Sequence, residues 1–284
     1  MNQIYTLTLY CPDKPGVVAA VCTFIANHGG SIVESSQHSD LVEGCFFMRV
    51  EIDAASLSIE LDEFKQLFSP IGESFQMTWQ LFDSDQKHKV VVLVSKHDHC
   101  LADILYRWRN QDIKFDIPCV ISNHEDLRGF VEWHDIPFHY IPMNKDNKAE
   151  AFKQIEGLFE KYQGDTMVLA RFMQILPANL CHKYFGKLIN IHHSFLPSFV
   201  GAKPYHQAYD RGVKLTGATC HYVTEDLDAG PIIDQDVLRI DHGHSIEDLV
   251  RLGKDVEKNV LARGLSYHLQ NRVIIHKNKT IIFN

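Results

Sequence analysis

Five consecutive apolar residues, Val90 to Val94, read V-V-V-L-V and sit between Lys89 and Ser95. A strand presents successive side chains to opposite faces, so it is apolar throughout only where both faces are covered. Such a strand belongs inside a sheet layered by helices. This run therefore selects an α/β architecture before any motif is considered. The chain beyond it agrees. Leu101, Ile104, Leu105 and Trp108 have helical spacing, and residues 117–122 read as a strand. A helix is expected near residues 126–133, a short strand at 138–141 and a helix through Phe152, Ile155 and Phe159. Further strands follow at 166–171 and 187–192, and the alternation predicts a largely parallel sheet. A long helix is expected over residues 245–269, with Ser245 and Asp248 placed as a capping box. A closing hairpin is expected, residues 273–275 and 280–283.

The first 80 residues are organised differently. Residues 4–10 alternate as a strand, and C-P-D-K-P-G (residues 11–16) leads into helical spacing at Val17, Val18, Val21, Phe24 and Ile25. Asp13 is expected to cap that helix and Pro15 to occupy its first turn. Gly29-Gly30 ends it, because glycine adopts the left-handed conformation readily. Strands at 31–38 and 44–52, a helix near 59–68 and a strand near 74–81 complete a ferredoxin-like βαββαβ order. The polar, unpatterned stretch 83–89 marks a boundary, giving expected domains 1–83 and 84–284.

The net charge is −8, which argues against a nucleic-acid partner bound through a broad basic surface. No apolar run is long enough for a membrane span, and residues 1–10 carry no secretory pattern. Seven widely spaced cysteines without a C-x-x-C pair fit a reduced, cytoplasmic chain. Seventeen histidines invite a zinc reading, with His97/His99 and His192/His193 as possible chelating pairs. No established ligand spacing occurs, so no metal is expected.

The segment that carries chemistry is I-N-I-H-H-S-F-L-P, residues 189–197. Residues two apart in a strand face the same way, so Asn190 and His192 point together, at the carboxyl end where ligand sites of open α/β sheets gather. An amide beside an imidazole suits a developing oxyanion. A satisfied strand-end pair is the plain alternative. A second segment, residues 217–235, reads as a strand with a polar tip, where Glu225, Asp226 and Asp228 precede Gly230-Pro231. Any of these carboxylates held near His192 would orient its ring; a solvated acidic turn is the alternative. A third, L-A-R-F-M-Q-I-L-P (169–177), is apolar, follows a strand and is suited to wall a flat ligand.

Together these segments resemble the folate-dependent formyltransferase family over roughly residues 89–284. The resemblance places the family's catalytic Asn, His and Asp on Asn190, His192 and Asp228. It places the pterin-holding segment on Phe172, Met173, Gln174, Ile175 and Leu176, and implies further substrate contacts from His221 and Thr224. The N-terminal region is similar to an ACT domain, carried by D-K-P-G (13–16) and N-H-G-G (27–30). That similarity implies a small amino-acid effector framed by Asp13, Pro15, Gly16, Asn27, Gly29 and Gly30. A structural or oligomerising module is the alternative, and a homo-oligomer, with a tetramer as the size guessed, is expected either way. Glycinamide ribonucleotide members of the family carry a glycine-rich loop that cradles the acceptor's phosphate. Here S-K-H-D-H-C-L-A-D (95–103) has no glycine, which disfavours close backbone approach to a phosphate. The resemblance thus implies water as acceptor, 10-formyltetrahydrofolate as substrate, formate and tetrahydrofolate as products, and no cofactor. Transfer to an amine, a non-catalytic folate or amino-acid sensor, and a zinc hydrolase are the rival readings.

Overall fold

The computed structural model describes residues 3–199, 201 and 203–283. The chain forms two compact units. The first comprises Met1–Lys87, Gln270–His276 and Ile281–Asn284; the second comprises His88–Leu269 and Lys277–Thr280.

In the first unit, β1 (Ile4–Pro12), α1 (Val17–Asn27), β2 (Ser31–Asp40), β3 (Cys45–Asp53), α2 (Leu61–Ser74) and β4 (Thr78–Asp83) follow in order. The antiparallel sheet runs β2-β3-β1-β4. Leu7, Leu9, Val21, Ile25, Phe64 and Phe68 form its core with the two helices. Two local expectations fail. Asp13 does not cap α1, whose N-cap is Gly16 at φ 96°, a conformation that only glycine takes cheaply. Asp13 instead donates its backbone N–H to Gly44 O at 2.8 Å, tying the loop to the β2–β3 turn. Pro15 consequently lies before the helix. The second helix runs past the expected end at residue 68, through Pro70 to Ser74. Gly72 explains why the extra turn is kept: a Cβ there would meet the Trp79 ring at 2.5 Å, so helix and strand pack closely.

The last residues of the chain also belong to this unit. Ile274 and Phe283 are buried with Phe47. Arg49, 2% exposed, donates from Nε to Asn271 O at 3.1 Å and from Nη2 to Gln270 O at 3.2 Å. The expected grouping of all residues 84–284 did not foresee this return, because nothing local in residues 270–283 announces which core they complete.

The second unit contains β5 (Val90–Val94), α3 (His99–Arg109), β6 (Val120–Ser122), α4 (Arg128–Glu132), β7 (Phe138–Tyr140), α5 (Lys148–Lys161), β8 (Thr166–Ala170), α6 (Ala178–Lys183), β9 (Leu188–His192), α7 (Pro204–Arg211), β10 (Leu215–Tyr222), β11 (Ile232–Arg239) and α8 (Ile246–Leu269). The sheet order is β11-β10-β9-β8-β5-β6-β7. Strands β9, β8, β5, β6 and β7 are mutually parallel, as the apolar run implied. β10 and β11 are antiparallel additions. The stretch read as one strand over 217–235 is in fact the hairpin β10–β11, with the acidic residues in its turn. α6 and α7 had no counterpart in the sequence reading. Ser245 and Asp248 do cap α8 reciprocally, Asp248 N–H to Ser245 Oγ at 3.1 Å and Ser245 N–H to Asp248 Oδ2 at 3.1 Å. Every cysteine is a free thiol, and among the described residues no helix is long and apolar enough to cross a membrane.

Candidate active site

β9 is buried by Leu188, Ile189 and Ile191, which leaves Asn190 and His192 sharing one side of the strand. The antiparallel register with β10 sets Asn190 directly opposite His221 and His192 opposite Thr219. Directly paired residues on one face come within contact distance, and Asn190 Nδ2 lies 3.1 Å from His221 Nε2. His221 Nδ1 lies 2.9 Å from the Tyr222 carbonyl oxygen, which only accepts, so Nδ1 carries the proton. Nε2 then accepts from the Asn190 amide, which retains a second N–H. Burial, ahead of the opposing pull of the Tyr222 carbonyl and Asp228, lowers the His221 pKa and keeps the ring neutral.

Asp228 reaches this pair from the β10–β11 turn. Its backbone has φ 55°, and two residues on, Gly230 is indispensable because a Cβ there would overlap Tyr222 O at 1.8 Å. Asp228 Oδ2 is 3.3 Å from His192 Nδ1, and Oδ1 is 3.8 Å from His221 Nε2. Burial alone would raise the Asp228 pKa. The hydrogen bond from His192, the electrostatic attraction of the two imidazoles, His192 before His221, and the Gly201 amide outweigh it and hold the carboxyl below its ordinary value. Asp228 is therefore ionised at neutral pH and orients the His192 ring through Nδ1. His192 Nε2, on the other side of the ring, is buried without a hydrogen-bond partner among the described residues. A histidine with one nitrogen fixed by a carboxylate and the other uncommitted can accept or deliver a proton there.

These side chains line a cavity of about 230 Å³. Phe172, Met173, Gln174, Ile175, Leu176, Asn190, His192, His221, Thr224 and Asp228 all border it, so the structure brings together every catalytic and substrate-contacting position singled out in the sequence. Glu225 and Asp226, the other candidate carboxylates, stand at its exposed rim. Glu225 lies 3.3 Å from His182. The 172–176 wall is pinned by Ser95, which ends the apolar run. Its buried Oγ accepts from Met173 N at 3.1 Å and donates to Asn123 Oδ1 at 2.6 Å.

A second polar cluster went unnoticed in the sequence. Glu257 of α8 is 1% exposed. His99 Nε2 approaches its Oε2 at 2.8 Å, Tyr205 donates to Oε1 at 2.6 Å, and Arg171 Nε stands 3.3 Å from Oε2. Burial pushes the Glu257 pKa up, but the His99 bond, the Arg171 charge and the Tyr205 hydroxyl prevail and bring it to about 2. Arg171 also lines the cavity, beside His193. His99, Cys100 and Glu257 hold ligand atoms within 4.8 Å of one another. They fit a metal poorly, because Arg171 already faces the carboxylate and burial, then the Glu257 charge, raises the Cys100 thiol pKa well above its usual value.

The six N-terminal positions separate into two groups. Asp13, Pro15 and Gly16 border a surface cleft with Gln37, His38 and Phe46. Asn27, Gly29 and Gly30 lie at the other end of α1, about 16 Å away at 1.5 Å per residue, and do not border it.

Comparison with known proteins completes the description. Residues 88–265 match the family model described as formyl transferase, and residues 5–69 match the ACT domain. A formyltetrahydrofolate deformylase of Bacillus subtilis (strain 168) is 47% identical over 279 residues, covering 98% of this chain and 93% of its own. The crystal structure of a formyltetrahydrofolate deformylase from Pseudomonas syringae pv. tomato DC3000 superposes with TM-score 0.98 at 56% identity, covering 100% of this chain and 95% of that one. The corresponding Burkholderia mallei structure gives TM-score 0.94 at 42% identity, with 100% of both chains covered.

Proposed function

The chain belongs to the formyl transferase family, among its formyltetrahydrofolate deformylases with an N-terminal ACT domain, and from that premise we propose how its side chains divide the work of the reaction. The reaction hydrolyses 10-formyltetrahydrofolate to tetrahydrofolate and formate, a step of one-carbon metabolism that can feed purine synthesis. Asp228 positions the attacking water and sets the His192 ring. The water oxygen bonds to the formyl carbon, and the carbonyl electron pair moves onto oxygen. Asn190, through the N–H not given to His221, and His192 stabilise that oxyanion. Collapse breaks the bond from carbon to N10, and the proton released by the water reaches N10 through His192. Formyl donor plus water thus becomes amine plus formic acid, which ionises to formate. Phe172 to Leu176, His221 and Thr224 hold the substrate. The residues present can carry each proton, and we assign no metal or cofactor to the reaction.

The observation that carries this reading is the uncommitted Nε2 of His192, in a cavity wall, on a ring held at Nδ1 by an ionised carboxylate. Its test is to incubate the protein with 10-formyltetrahydrofolate, with and without glycinamide ribonucleotide, and to quantify formate and tetrahydrofolate. Equal amounts of both without an acceptor are expected. Turnover only with the acceptor would overturn it.

Around this core we further infer that residues 1–83 serve as a regulatory domain for a catalytic domain within 84–284. An amino acid would bind the cleft at Asp13, Pro15 and Gly16, with Asn27, Gly29 and Gly30 contributing only from another copy of the chain. On this reading the chain works as a homo-oligomer, and we place it in the cytoplasm without a nucleic-acid or membrane partner.

A further inference from the structure

Arg171 lines the same cavity as His192 and takes no part in the steps above. Its placement is costly twice over. The backbone stands at φ 64°, in the left-handed region where a residue with a Cβ gives up about 1–2 kcal/mol. Its side chain is 9% exposed, and Nε is buried without a hydrogen bond among the described residues. Glu257 Oε2, 3.3 Å away, is not aligned for one. That carboxylate already takes His99 on Oε2 and the Tyr205 hydroxyl on Oε1. The guanidinium is therefore balanced in charge and held in place, with donor capacity left over. Strain and an unmade buried hydrogen bond at one residue point to function at that residue.

The reaction supplies the need. The formyl donor is neutral at the reacting carbon, whereas hydrolysis leaves a carboxylate there. A carboxylate in a buried cavity is costly without a partner, and transfer to an amine would create no such anion. Among the described residues that line the cavity, Arg171 is the only lysine or arginine. A guanidinium presents planar N–H pairs that match a carboxylate. Resting on the deformylase reading, we propose that Arg171 is the receiving group for the formate formed in this cavity, held ready by Glu257, His99 and Tyr205.

The test is product inhibition, following tetrahydrofolate formation with added formate or its neutral analogue formamide. Formate is expected to inhibit the wild-type protein and formamide to do so at least tenfold more weakly. Arg171→Gln should weaken formate inhibition tenfold or more, with Arg171→Lys between the two. Equal inhibition in Arg171→Gln, or formamide as effective as formate, would overturn the assignment. The substrate's glutamate tail is the other carboxylate that competes for Arg171. A substrate lacking the tail separates the two: loss of affinity in Arg171→Gln only for the tailed substrate, with formate inhibition unchanged, would reassign Arg171 and end the proposal. Where Arg171→Gln does not fold, saturation-transfer NMR of formate on the wild-type protein, competed by substrate, replaces it, and absence of transfer counts against the site. A protein that releases no formate at all would instead sink the deformylase reading.

Discussion

The second unit contains two buried carboxylates that each face histidine, and they are built for opposite ends. Glu257 sits mid-helix, has both oxygens hydrogen-bonded, and is brought to a pKa of about 2 by its surroundings. Asp228 sits on a turn at positive φ, contacts two histidines at longer range and borders a cavity. The Glu257 carboxylate spends both oxygens internally and holds its neighbours in place. The second leaves a histidine nitrogen uncommitted, and the uncommitted group is what chemistry requires. Composition does not separate the two; saturation does.

Substitution can break that contrast. Asp228→Asn keeps the shape but removes the charge that orients His192, and kcat should fall by about a hundredfold or more, with the melting temperature nearly unchanged. A variant that unfolds, or that turns over normally, would erase the distinction. Glu257→Ala should do the reverse. Leaving Arg171 buried opposite nothing costs about 3–5 kcal/mol of stability, read as a lowered denaturation midpoint. The same group makes a pH prediction. Its folded pKa lies below its ordinary 4.5, so its contribution is fully present above that value and is lost as pH falls from about 4.5 toward 2. The wild-type midpoint should drop over that window more steeply than that of Glu257→Gln. The smallest effect is expected at Ser95. Ser95→Ala strands the Met173 N–H and the Asn123 carbonyl, worth about 1 kcal/mol, and should raise KM several-fold while sparing kcat.

The contrast also explains what the sequence disclosed. Asn190 and His192 were legible because a period of two puts them on one face, and the apolar run at Val90 to Val94 dictated the parallel sheet. Asp228 was one of three carboxylates until the family resemblance chose it, since the turn that aims it inward depends on Gly230 fitting under Tyr222 O. Glu257 was invisible: it lies 158 residues from His99 and looks like any acidic residue on a long amphipathic helix. Arg171 was hidden inside an apolar segment. Asp13 misled because a good capping residue was recruited to a turn, and Gly16 took the cap.

One consequence concerns the order in which the chain is made. Arg49 emerges early, but the carbonyl of Asn271 that receives its Nε–H lies 222 residues later. At about 5–20 residues per second, roughly 10–45 s pass on the ribosome in which the guanidinium has Glu51 and Glu34 beside it but its Nε–H lacks the carbonyl it will finally meet. That unit is complete only once residues 270–276 have followed, so a product stopped before them lacks part of its core.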